Sequence, residues 1–328
     1  CYYFANGEYQ AVTNLSADLI EKLICEASQL SDFVEFIWHG GEPLVAGIET
    51  FQKIVTLQQT ISAERGVKYK NVIQTNGTLL DEKWSDFLAK NDFGVGISID
   101  GPVWLHDKHR TYGDYSGSLS NVTNGIRLLK EKGVRKGALA VITRDSLGYE
   151  NEIFNFFINN DVMSFDFLPF FDGDYPFTLQ KGDYSDFIIK IFDIWLEKDD
   201  PNIKIRYIDN VMSGILGGRQ SLCKFARSCH TYISVDFNGD IFPCDKYLGL
   251  KEFKFGNLQK DSLADVVKSI KMREFTQKIK ALHNNCSKCN LWEICGGACT
   301  YYQMSDDKIE QRRYCYENRR AITHIQSK

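Results

Sequence analysis

Eight of the ten cysteines in this chain fall in its last third, where they read Cys223-x5-Cys229-x9-Gly239-x4-Cys244 and then Cys286-x2-Cys289-x5-Cys295-x3-Cys299-x15-Cys315. Loops so dense in cysteine have little apolar core of their own, so whatever joins the thiols must supply folding free energy. Disulfides do this in small secreted domains, but no signal peptide is visible in this sequence. Cys286-x2-Cys289 alone would suit a zinc ribbon. On spacing alone, four thiolates can hold zinc as well as iron.

The remaining two-thirds follows a different rule. Short apolar runs at 34–38, 71–74, 94–99, 138–143 and 165–170 read as buried parallel strands. Amphipathic stretches such as 16–30, 81–90, 118–132 and 151–160 read as helices between them. The alternation implies an α/β barrel or a doubly wound sheet. A barrel of this kind places its chemistry at the C-terminal ends of the strands. The residues there are His39-Gly40-Gly41-Glu42-Pro43, then Gln74-Thr75-Asn76-Gly77, then Ser98-Ile99-Asp100-Gly101-Pro102 with His106, Asp107 and Arg110 following. A net charge of −4 argues against a nucleic-acid or membrane-surface binder. No apolar run is long enough for a bilayer span, so a cytoplasmic location is expected.

Two adjacent glycines after a strand let the backbone approach a ligand, and Glu42 beside them can accept from an ammonium group. These residues resemble the radical S-adenosylmethionine (SAM) superfamily, whose GGEP motif holds the SAM amino group. The resemblance implies a CxxxCxxC loop whose three thiolates bind a [4Fe–4S] cluster with one iron open to SAM. Cys1 stands where the last of those cysteines belongs, so the other two and the first strand are expected upstream of residue 1. Ser98 and Arg110 are expected, by the same resemblance, to address the SAM carboxylate, and a guanidinium matches a carboxylate in shape. Cys25 lies in a helical apolar pattern and is expected to be a buried core thiol.

Seven of the late cysteines, from Cys229 onward, and Gly239 match the pattern of the SPASM domain. Carried over by position, Cys223, Cys229, Cys244 and Cys299 hold a first auxiliary cluster, and Cys286, Cys289, Cys295 and Cys315 a second. Eight thiolates suffice for two such cubanes with no open iron. The fold expected is thus α/β, a partial (β/α)6 TIM-like barrel over 1–174, a helical bridge over 175–222 and a SPASM domain over 223–328. The full-length enzyme is expected to use SAM and three [4Fe–4S] clusters, one of them SAM-binding, with a low-potential donor such as flavodoxin or ferredoxin. Asp245, next to Cys244, matches the aspartate proposed as base in anaerobic sulfatase-maturating enzymes.

Those enzymes usually carry glutamine before Gly-Gly-Glu, where this chain has Trp38-His39. The WHGGEPL form looks more like maturases of ribosomal precursor peptides. The expected activity is that of an oxidoreductase: hydrogen abstraction from a precursor peptide side chain and oxidative formation of a C–C cyclophane or thioether cross-link. Oxidation of a sulfatase cysteine or serine to formylglycine is the alternative. A catalytically silent, cluster-bearing electron-transfer scaffold is the second.

Overall fold

The computed structural model of the chain describes residues 14–171, 173–304 and 308–328, so Cys1 lies outside the described residues. Six strands, β1 (Phe33–Trp38), β2 (Lys68–Thr75), β3 (Gly94–Ser98), β4 (Lys136–Ile142), β5 (Ser164–Pro169) and β6 (Lys204–Ile205), form one sheet in chain order. β1 with β2, β2 with β3 and β5 with β6 pair in parallel. Parallel neighbours need crossover connections. These contain α2 (Ile48–Arg65), α3 (Glu82–Lys90), α4 (Val103–His109), α5 (Leu119–Glu131), α6 (Glu150–Asn159) and α7 (Asp183–Lys198), while α1 (Ala17–Leu30) precedes β1 and α8 (Arg206–Ile215) follows β6. This is the strand order of a (β/α)6 unit. After it come α9 (Cys223–Ala226), a three-stranded antiparallel sheet of β7 (Ser234–Val235), β8 (Asp240–Phe242) and β9 (Gly256–Asn257), and then α10 (Leu263–Lys268), α11 (Ile270–Cys286), α12 (Trp292–Cys295), α13 (Thr300–Gln303) and α14 (Lys308–Gln326).

By its internal packing the chain divides into two compact units. The first contains Cys1–Ile99, His106–Ala138 and Ile233–Met272; the second contains Asp100–Leu105, Leu139–Tyr232 and Arg273–Lys328. In the first, the ring of Phe51 meets Trp38, Trp84 and Phe93 edge-on at 5.8, 5.5 and 6.2 Å. Phe51 and Phe93 are almost fully buried, and a side chain of that size contributes about 1.5–3 kcal/mol by leaving water. The segment that follows β9 is tied to α1 by charged side chains on its backbone. Lys22 Nζ donates to the carbonyls of Leu258 and Asp261 at 2.6 and 3.1 Å, and Glu26 accepts from Leu263 N at 2.6 Å. Cys25 on the same helix is half-buried; it is its neighbour Ile24 that is fully enclosed.

In the second unit Phe165 and Phe167 of β5 pack on Phe157 of α6 at 4.7 and 6.1 Å. α14 closes over α7 through Glu317, a buried carboxylate that accepts from Gly182 N at 2.6 Å and Ser185 N at 2.7 Å. Those two N–H groups belong to the first turn of α7, where no intrahelical acceptor exists. One turn on, Arg320 pairs with Asp186 at 2.7 Å. Tyr207 of α8 donates to Asn318 at 3.0 Å, and its own N–H reaches the buried carboxylate of Asp166 at 3.0 Å.

Candidate functional site

The turn after β1 is held from behind. Trp38 Nε1 donates to Asn71 Oδ1 at 2.9 Å, and the Asn71 amide exchanges two hydrogen bonds with that of Gln58, at 2.8 and 3.1 Å. Gly40 then takes a φ of 151°, and no atom lies within 4 Å of the place a Cβ would occupy on either Gly40 or Gly41. Glu42 is the pivot of the turn. Its Oε1 accepts from Leu44 N at 3.0 Å and Thr75 Oγ1 at 2.8 Å, and its Oε2 from Asn76 N at 2.7 Å. A carboxylate offers about four acceptor sites, so the three donors leave room for one more beside the open glycines. Burial raises the Glu42 pKa above its ordinary value, against the pull of its three hydrogen bonds. An incoming ammonium group is the natural fourth partner, so this turn fits the amino end of SAM.

Gln74 Nε2 donates to Ser98 Oγ at 3.0 Å, joining the ends of β2 and β3. Gly96 permits this, because a Cβ there would overlap the Gln74 amide. Arg110 directly follows α4; its N–H donates to His106 O at 2.8 Å and its carbonyl accepts from Ser118 Oγ at 2.8 Å. His106, fully buried, is 3.0 Å from the same Ser118 hydroxyl. The ammonium needs an ionised Glu42, so SAM affinity is expected to fall as pH drops through the raised Glu42 pKa. Glu42→Gln should weaken SAM about ten- to a hundredfold, the worth of one charge-assisted hydrogen bond, and flatten that pH dependence. Equilibrium dialysis on anaerobically reconstituted protein measures both.

His39 keeps part of its surface open, but its ring stands among enough surrounding atoms that desolvation lowers its pKa. The negative charge of Asp245 acts on it in the opposite sense. Gly40 N donates to His39 Nδ1 at 2.7 Å, which leaves the neutral ring's proton on Nε2. Asp245 opens a short turn after β8, and Tyr247 at the end of that turn is 2% exposed and packs at a tilt on Phe253, with ring centres 4.5 Å apart. The first unit thus brings together Gly40, Gly41, Glu42, His39 and Asp245, with Cys244 next to Asp245 in the chain. The influence of Asp245 on His39 was not legible in the sequence, since 206 residues separate the two.

In the second unit the thiols fall into two groups. Cys286, Cys289, Cys295 and Cys315 act on one another electrostatically. Burial pushes the Cys295 thiol up to about 11. Cys229 is drawn down to about 6 by a hydrogen bond from Cys223, helped by Thr300, the neighbour of Cys299. Lys224 feels the charges of Asp166, Cys299 and Cys223 together, and its ammonium stands 4.9 Å from the centre of the Tyr207 ring. None of the nine described cysteines forms a disulfide. Among the described residues no three His, Cys, Asp or Glu side chains gather as the ligands of one metal ion. The four thiols of the larger group match in number and type the ligands of a cubane cluster.

Comparison with known proteins bears on the whole chain. Residues 1–156 match the family model of the radical SAM superfamily, and residues 223–290 that of an iron–sulfur cluster-binding domain, SPASM. The chain is 30% identical to the cysteine-type anaerobic sulfatase-maturating enzyme of Clostridium perfringens, over 96% of this chain and 88% of that protein. It is 32% identical to the serine-type enzyme of Bacteroides thetaiotaomicron, over 93% and 79%. The solved structure of native anSMEcpe with bound AdoMet superposes with a TM-score of 0.89 at 28% identity, covering 99% of this chain and 92% of that one. Streptococcus suis SuiB bound to precursor peptide SuiA reaches a TM-score of 0.63 at 19% identity, over 96% and 71%, a likeness of fold alone.

These findings overturn the cross-linking activity expected from the WHGGEPL form. That expectation leaned on one position. Gly40 and the three hydrogen bonds on Glu42, which shape the turn, do not distinguish the two activities. The cofactors are SAM and [4Fe–4S] clusters, with auxiliary clusters in the SPASM region. A SAM-type turn at the end of the first described strand, a cysteine array at the far end and relatives that match along nearly the whole length have one common meaning: the chain belongs to the anaerobic sulfatase-maturating family of radical SAM/SPASM enzymes.

Proposed function

We propose that this enzyme is an oxidoreductase that converts a cysteine or serine of a sulfatase to formylglycine. The observation that carries the reading is the near-full-length similarity to both the cysteine-type and the serine-type enzymes. Oxidising serine to the aldehyde removes two hydrogens, one as an atom from the β-carbon and the other as a proton and an electron. From cysteine the same change gives a thioaldehyde, which takes oxygen from water and releases hydrogen sulfide. When bound, SAM and the clusters supply a 5′-deoxyadenosyl radical for the hydrogen atom and an acceptor for the electron.

The protein's own residues do the rest. Glu42, Gly40 and Gly41 bind the amino end of SAM, with Ser98 and Arg110 toward its carboxylate. Asp245 takes the proton at a carboxylate oxygen. Cys223, Cys229, Cys244 and Cys299 hold one auxiliary cluster, Cys286, Cys289, Cys295 and Cys315 the other, and Cys1 contributes to the SAM-binding cluster. The division at 174 and 222, a cytoplasmic location and a flavodoxin- or ferredoxin-type donor belong to the same reading. Among the described residues no helix is long and apolar enough to cross a membrane.

The test is an anaerobic incubation of enzyme, SAM and reductant with sulfatase peptides carrying cysteine or serine at the modified position. Mass spectrometry should find an aldehyde that a hydrazide reagent captures. Steady release of 5′-deoxyadenosine with both peptides unchanged would sink the reading.

A further inference from the structure

Among the cysteines of the second unit, one already has a cation on its sulfur. Arg319 Nη2 donates to Cys289 Sγ at 3.4 Å, a contact that joins residues 30 apart in the chain. The same sulfur donates to Asn290 Oδ1 at 3.8 Å. Arg319 lies four residues after Cys315 on α14, so the two side chains share one face of the helix. The helix that offers Cys315 therefore also offers a guanidinium to the same group of thiols.

We propose that Arg319 is a positioning residue that sets the reduction potential of the second auxiliary cluster, through its N–H···S bond to Cys289. The inference rests on the ligand assignment given under the proposed function. Its physical basis is charge. Adding one electron to a cubane held by four thiolates adds one negative charge without making or breaking a bond. The surroundings differ from one side of the group to the other: Cys295 is half-buried, while Cys315 is exposed. The less exposed side gives the added charge less solvation. A guanidinium stays protonated at every accessible pH and keeps its donors in a rigid fork. Hydrogen bonds to the sulfurs and exposure to solvent are the levers by which a protein tunes such a cluster. Arg319 supplies the first of these where Cys315 supplies the second.

The measurement is a potentiometric titration of the anaerobically reconstituted full chain, followed by electron paramagnetic resonance, on wild type, Arg319→Gln and Arg319→Lys. Arg319 is exposed, and matching thermal midpoints and iron contents confirm that the variants fold and load alike. In Arg319→Gln the second auxiliary cluster should be about tenfold less reduced at a fixed solution potential, which for one electron is about 59 mV. The first auxiliary cluster should keep its potential. Arg319→Lys, which retains the charge but not the fork, should lie between. Wild-type potentials in the loaded Arg319→Gln protein, or equal shifts of both clusters, would overturn the inference and leave the ligand assignment standing. A wild type that takes up no auxiliary iron would overturn the ligand assignment, and the inference with it.

Discussion

Asparagine in place of Asp245 is expected to leave SAM cleavage running while formylglycine yield falls by about 10²–10⁴, the usual cost of losing a general base. The substitution keeps the shape of the side chain and removes its ability to take a proton. Cys244 is extended at a φ of −162°, and Tyr247 at the end of the turn is buried. Hydrogen abstraction precedes the proton step, so 5′-deoxyadenosine should still accumulate and become uncoupled from product. Liquid chromatography with mass spectrometry quantifies both from one anaerobic reaction. An unchanged product yield in Asp245→Asn removes Asp245 from the mechanism.

Removing the metal should have a comparably large effect on the fold. Reconstituted wild type is expected to hold about eight auxiliary irons per chain, and Cys299→Ala should lose about four of them while the second cluster stays detectable. Chelation of all iron should abolish the cooperative melting of the cysteine-rich segment, since metal binding there is folding free energy. The thiols themselves explain why. Cys295, with its pKa near 11, is protonated at neutral pH without metal and must give up a proton in a poorly solvated place. Iron uptake should therefore release protons, and an iron-free chain should not regain the fold on raising pH alone. Iron and sulfide analysis, paired with circular-dichroism melts before and after chelation, tests the set. Equal melting with and without iron would mean the thiols are not structural ligands.

The strands of the sheet were legible because each is a short run rich in apolar residues, bounded by turn residues. Five of the six, at 34–38, 71–74, 94–99, 138–143 and 165–170, agree with the observed elements to within a few residues. β6 is two residues long and has no pattern to find. Glu42 was legible from its glycines, but its three hydrogen bonds were not, because Thr75 and Asn76 reach it only once β2 pairs with β1. Lys22 and Glu26 fall within the amphipathic stretch at 16–30, where nothing local marks them out. In the fold they hold the backbone at 258–263, part of the same unit as the turn that presents Asp245. Long-range contacts of this kind leave no local period, and residue 39 misled because a single side chain was weighed against a whole register.

Glu317 has a consequence for how the protein is made. The acceptor for the first turn of α7 is supplied 132–135 residues downstream. At about 5–20 residues per second, a ribosome delivers it roughly 7–27 s after residue 182. Through that interval α7 has an incomplete N-terminus, and the second unit carries a high contact order that slows its closure. Cys315, two residues before Glu317, emerges at the same late moment. Completion of α7 and completion of the last thiol group are thus one event in synthesis, so the machinery that delivers iron meets a chain whose second unit closes only as its final helix leaves the ribosome.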